Sequence, residues 1–216
     1  MTALVTFPGG ADVLEGAALP FAPGASPHTA SAKLYRGVFR AIDKRWRGGR
    51  SAFLDAQIPS LRAFYDREWK DSDRVDAWPF FFAITELARH LGQTPVEYMN
   101  TAAIESARRD VSGAARHMLK LVSNRTITVG VFTMNKMWWD FLKFRTQALP
   151  NGIRINASGL PAGLRNGILI SGGAYSAEVL RLSGTETARY EAGEFKCADV
   201  PLTAASIGEG TFSLQW

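Results

Sequence analysis

The hydrophobic period of this chain changes near Asn151-Gly152, and that change limits the folds open to it more than any other feature. Directly after Asn151-Gly152, Ile153, Ile155 and Ala157 alternate with Arg154 and Asn156, the pattern of a turn followed by a half-buried strand. Before it, apolar residues recur mostly at helical spacing. The first clear helix is expected over 32–47, where Leu34, Val38 and Ile42 share a side with Tyr35, Phe39 and Trp46. Two short helices with a corner at Pro59 are expected within 51–70, and a central helix over 77–91, which is apolar on more than one face. Thr94-Pro95-Val96-Glu97 matches a capping box with proline in the first turn, so a helix should start at Pro95 and run to about 110, continuing or restarting past Gly113 to about Leu121. Ile127–Phe132 reads as either strand or helix, and Phe132–Phe144 as a helix.

Past the change of period, Pro161–Leu182 reads as a helix weakened by Gly172-Gly173, and Ala188–Phe195 and Thr211–Trp216 read as strands. A block of helices followed by strand, helix, strand and strand implies an α+β fold. Its helical N-terminal half would pack on a small antiparallel sheet formed mainly by the C-terminal third. With 216 residues, one domain over 33–216 is expected, preceded by an extended arm over 1–32 that Pro8, Pro20, Pro23 and Pro27 interrupt and that holds a short strand at Leu4–Phe7.

Composition removes several classes. Hydrophobic residues at 46% and charged residues at 21% fit neither a disordered chain nor a coiled-coil rod. Cys197 stands alone, so no internal disulfide forms, and His28, His90 and His117 lack zinc spacing. The longest apolar run, Trp78–Ile84, is too short for a membrane span, and the first residues lack the positive start of a signal peptide, so a cytoplasmic protein is expected. Nucleophile elbow, zincin, P-loop and dinucleotide fingerprints are absent from the sequence, which favours a non-enzymatic module; an enzyme acting on a hydrophobic substrate without a recognisable motif is the alternative.

Two constellations remain as candidate sites. The first is aromatic and thioether-rich: Met134, Trp138, Trp139, Phe141 and Phe144, with Met137 among them, either pack as ordinary core or line a pocket for a small apolar ligand. Adjacent tryptophans on a helix cannot face the same way, so one of Trp138 and Trp139 should be core and the other should meet a cavity or partner. The second is charge. The net +5 is concentrated in residues 33–50, which carry seven Lys and Arg against Asp43 alone. Arg36, Arg40, Lys44 and Arg47 recur along one helical face that is either simply solvated or meets an acidic protein or anionic surface. Sequence-specific nucleic acid binding is not expected, because the rest of the chain is nearly neutral.

Trp78-Pro79 opening a central helix, the aromatic stretch Met134–Phe144 followed by a strand over Gly152–Ala157, the helix ending in Leu182-Ser183-Gly184 and the terminal Phe212-Ser213-Leu214-Gln215-Trp216 together resemble a large paralogous family of myxobacterial proteins. That family is in turn similar to a superfamily of TRAPP vesicle-tethering subunits, vinyl-reductase-type ligand-binding domains and haem nitric-oxide sensors. The resemblance covers 33–216 and implies helices on an antiparallel sheet, an apolar cavity in several members, a homodimer and no catalytic residue. The haem sensors pair a histidine ligand with a Tyr-x-Ser-x-Arg clamp, which this sequence lacks, so no cofactor is implied.

Overall fold

Thr94 and Glu97 form the capping box that their spacing promises: the Thr94 hydroxyl accepts from the Glu97 N–H (3.2 Å), and the Glu97 carboxylate accepts from the Thr94 N–H (3.0 Å). They open α5 (Pro95–Asp110). A computed structural model of the chain describes residues 3–6, 19–135, 137–199 and 203–216. Its other helices are α1 (Ala32–Arg45), α2 (Gly49–Asp55), α3 (Pro59–Tyr65), α4 (Ala77–His90), α6 (Ala114–Leu119), α7 (Asn124–Asn135) and α8 (Arg165–Leu182).

The strands are β1 (Ala3–Thr6), β2 (Thr29–Ser31), β3 (Arg74–Asp76), β4 (Lys143–Leu149), β5 (Gly152–Pro161), β6 (Arg189–Cys197) and β7 (Ile207–Gln215). Five of them form one antiparallel sheet in the order β1-β6-β7-β5-β4, while β2 and β3 make a separate two-stranded ladder. The expected α+β architecture is the observed one. Ile153, Ile155 and Ala157 of β5 and Phe212 and Leu214 of β7 point into the core, where α8 crosses the sheet and α5 packs along α8. Gly173 permits that crossing, since a Cβ there would lie 2.6 Å from the Tyr190 ring.

The helix expected over Phe132–Phe144 is corrected. α7 ends at Asn135, Trp138 sits in a turn, Trp139 forms an isolated bridge, and Phe144 belongs to β4. The cause is tertiary. The Ser31 N–H donates to the Trp138 carbonyl (2.9 Å), the Asp140 N–H to the Thr29 carbonyl (3.3 Å), and Trp139 bridges Ala30. These bonds draw the segment alongside β2 while the Trp139 ring stacks on Phe81 (5.3 Å between centroids, 16° between planes). Ile127–Phe132, open between strand and helix in the sequence, is helical.

The N-terminal segment contributes β1 at the sheet edge, beside the expected strand at Leu4–Phe7, and residues 28–32 are part of the core: Ala30 and Ala32 are enclosed and His28 is buried. Most of the remaining arm, 7–18, lies outside the described residues.

Candidate functional site

The N-terminus of α4 organises one end of the interior. Asp76 caps it, accepting from the N–H of Trp78 (2.9 Å) and, across the chain, from those of Gly24 (2.9 Å) and Ser26 (3.4 Å). Burial pushes its carboxyl above the usual range, and these three hydrogen bonds partly offset the rise. Above it the Trp78 indole N–H donates to His28 Nδ1 (3.4 Å), while the His28 backbone N–H donates to the Ser26 hydroxyl (3.0 Å). The imidazole is packed among Phe21, Trp78 and Phe141, and burial lowers its pKa, with the Asp140 charge pulling the other way. His28 is thus a buried, neutral, partnered histidine.

Beyond it lies the aromatic group singled out in the sequence, and the structure divides it. Trp139 is core, 7% exposed, between Phe80, Phe81 and Phe141. Trp138 is half-buried, Phe141 half-buried against His28, and Phe144 half-buried against Phe132. Met134 and Met137 are outside, exposed to solvent. Only Trp139 and Phe144 of the five candidates reach a common cavity, the seam where α7 and α8 meet the sheet, with Phe132, Asn135, Ile168, Ser171, Gly172 and Phe212. That cavity is about 20 Å³. It is wide enough for one water-sized occupant and far below the roughly 300–1,000 Å³ of small-molecule pockets.

The four basic candidates are all exposed. Arg36, Arg40 and Lys44 follow one another along α1; Arg47 lies past its C-terminus, with its backbone N–H bound to His90 Nε2 (3.0 Å). Arg36 is neutralised by Asp71, a pairing with no signal in the sequence. Arg40, Lys44 and Arg47 have no carboxylate partner among the described residues. Beside α1 opens a groove of about 420 Å³, unforeseen in the sequence, lined by Tyr35, Arg36, Phe39, Arg50, Arg67 and Trp69 together with Asp66 and Glu68. Arg50 lies over the Phe39 ring at 4.1 Å.

The same arrangement of helices and sheet occurs in solved H-NOX (haem nitric-oxide-binding) proteins. A point mutant of the H-NOX protein from K. algicida, Fe(II) and unliganded, matches with a TM-score of 0.55 at 6% identity, over 86% of this chain and 95% of that one. An H-NOX protein from S. oneidensis in the Fe(II) state matches at 0.52 and 13% identity, over 86% and 96%. The IWP-051-bound H-NOX from Shewanella woodyi in the Fe(II)CO state matches at 0.50 and 10% identity, over 85% and 93%. At these identities the shared property is the fold. No family model matches the chain, and no curated protein does.

Those H-NOX structures hold Fe(II), which haem supplies in that fold, and the residues here do not fit that group. A porphyrin needs an enclosed apolar slot with a histidine facing it. The interior seam is about 20 Å³. His90 is exposed and stacked on Trp46 (4.0 Å, 14°), His117 is exposed on α6, and His28 is held by Trp78 and Ser26. The 420 Å³ groove has no histidine in its lining. No cluster of three or more His, Cys, Asp or Glu suited to a metal occurs among the described residues, and no described helix is long and apolar enough to cross a membrane.

Proposed function

We propose that this chain is a non-enzymatic, cytoplasmic module for sensing or regulation, built on the haem-sensor fold without haem and acting chiefly by binding a protein partner, as a homodimer. The observation that carries the reading is the filled interior: Trp139, Phe81, Phe132, Phe144 and Phe212 occupy the space between helices and sheet and leave a cavity of about 20 Å³. A module whose interior is closed communicates through its surface. The likeness to H-NOX structures supports the sensing part, and it accords with the resemblance to the myxobacterial paralogous family and its TRAPP-like relatives.

A second reading keeps the small apolar ligand. The seam is lined by four apolar rings and Ile168, and Trp139 and Phe144 would hold such a ligand if α7 moved off α8. The basic face of Arg40, Lys44 and Arg47 would add an acidic partner or anionic surface. Native mass spectrometry of the purified protein tests both readings: a dimer without bound small molecule supports the first, a stoichiometric apolar adduct supports the second, and a ligand-free monomer that captures no partner overturns both.

A further inference from the structure

Arg50 carries a polar atom that the chain leaves without a partner. Its Nε is buried and has no acceptor. Its Nη2 donates to the Tyr65 carbonyl (2.7 Å), and the guanidinium carbon lies 4.1 Å from the centre of the Phe39 ring. These two contacts fix the plane of the group, and neither supplies an anion. Arg50 makes no ion pair among the described residues. A buried N–H without an acceptor is uncommon in folded proteins, and a charged one is costlier than a neutral one, so its natural complement is an oxygen from outside the chain.

Arg50 lines the groove of about 420 Å³ beside α1, a volume within the roughly 300–1,000 Å³ of small-molecule pockets. The lining carries both signs of charge. Arg67 lies over Phe64 (5.8 Å), and Asp66 and Glu68 flank it in the chain. None of Arg50, Asp66, Arg67 and Glu68 forms an ion pair among the described residues, whereas Arg36 in the same lining is held by Asp71. Trp69, half-buried and nearly parallel to Phe39 (8° between planes), adds apolar surface. A simple anion here meets Asp66 and Glu68, and a simple cation meets Arg50 and Arg67. A molecule that carries both charges satisfies both pairs.

We propose that this groove binds a free α-amino acid with an apolar side chain. Its carboxylate sits on Arg50, with Arg67 beside it; its ammonium faces Asp66 and Glu68; its side chain lies on Trp69. Arg50 suits the carboxylate because a planar guanidinium already fixed by Tyr65 and Phe39 loses little freedom on binding. The groove shares no residue with the seam between α7, α8 and the sheet, so this site is separate from the interior and from the apolar-ligand reading given above. It adds a small-molecule input to a module otherwise proposed to act through a protein partner.

Calorimetric titration of the full chain with L-phenylalanine, L-leucine and L-tryptophan should show one-to-one binding of at least one of them. For that amino acid, acetylation of the amine or amidation of the carboxylate should each raise Kd more than about tenfold, because each removes one charged partner. Asp66→Asn with Glu68→Gln should raise Kd by a similar factor without changing the circular dichroism, since both side chains are exposed. The same double variant should bind the acetylated form no more weakly than the wild type does, which a general loss of structure would not allow. Arg50→Lys keeps the charge but loses the planar fork, and should weaken the amino acid and its acetylated form alike. No binding of any of the three up to about 10 mM overturns the site. So does an acetylated form that binds as tightly as the free amino acid, or binding that survives replacement of both the acid pair and Arg50 unchanged.

Discussion

α4 and α7 are both poor in charge, yet the chain treats them in opposite ways. α4 is enclosed on nearly every side: Trp78, Phe81, Ala83 and Leu87 have no exposed surface, and its N-terminus is closed by Asp76, Tyr35 and the loop carrying His28. α7 covers one side with Ile127, Thr128 and Phe132 and leaves the other, charged only at Arg125, in solvent. Apolarity in a sequence therefore measures how much surface needs a partner and is silent on whether the partner is the same chain.

The largest separation should come from the two adjacent tryptophans. Trp139→Ala removes a ring stacked on Phe81 in the packed interior and should cost about 3–5 kcal/mol in denaturant unfolding, whereas Trp138→Ala, at a half-buried turn, should cost less than about 2 kcal/mol. Equal losses would mean that the turn after α7 is as enclosed as α4.

Two helix glycines should next show opposite signs. Gly173→Ala forces a methyl against the Tyr190 ring at 2.6 Å and should destabilise by roughly 1–3 kcal/mol. Gly130→Ala meets open space and should stabilise the protein by up to about 1 kcal/mol. A loss of stability at position 130 would show that α7's outer face is already covered.

Much of the fold was legible because it rests on local chemistry. The capping box at Thr94 and the alternation after Asn151-Gly152 each carry their signal within a few residues. What the sequence hid is non-local. Trp138, Trp139 and Phe144 keep helical spacing, but hydrogen bonds to Thr29 and Ser31, more than a hundred residues earlier, unwind the segment. The β2–β3 ladder is three residues long on each side, too short for a period to register. The candidate site was legible only in part. Trp139 and Phe144 reach one cavity, while Arg36 is cancelled by Asp71 and the groove of Phe39, Arg50 and Trp69 draws on three separate elements and loops.

The sealed end of α4 makes a pH prediction. His28 has a folded-state pKa below its ordinary 6.5, so the unfolded chain takes up the proton first. Stability contributed by neutral His28 is therefore complete above about pH 7 and declines as pH falls through 6.5 towards the lower folded value. Asp76, raised from 3.8, acts oppositely nearer pH 4, where the folded state is protonated first. His28→Gln should flatten the slope between pH 7 and 5.5 in thermal unfolding; an unchanged slope would place the titrating group elsewhere.

The smallest effect on stability is expected at the basic face. Arg40→Glu with Lys44→Glu should leave unfolding within about 0.5 kcal/mol per site. If an acidic partner or anionic vesicle uses this face, the double variant should abolish a binding that already weakens steeply as salt rises. Unchanged binding would return Arg40, Lys44 and Arg47 to solvent.

On a fold shared with H-NOX structures, the aromatic side chains around the seam leave a cavity of about 20 Å³, too small for a porphyrin. Titration of the purified protein with haemin, followed by absorbance, tests it most directly. Haemin should give only the broad spectrum of weak, non-stoichiometric association, with no change when His28 is replaced by Gln. A sharp Soret band saturating at one haem per chain, lost in that variant or in His117→Ala, would contradict it.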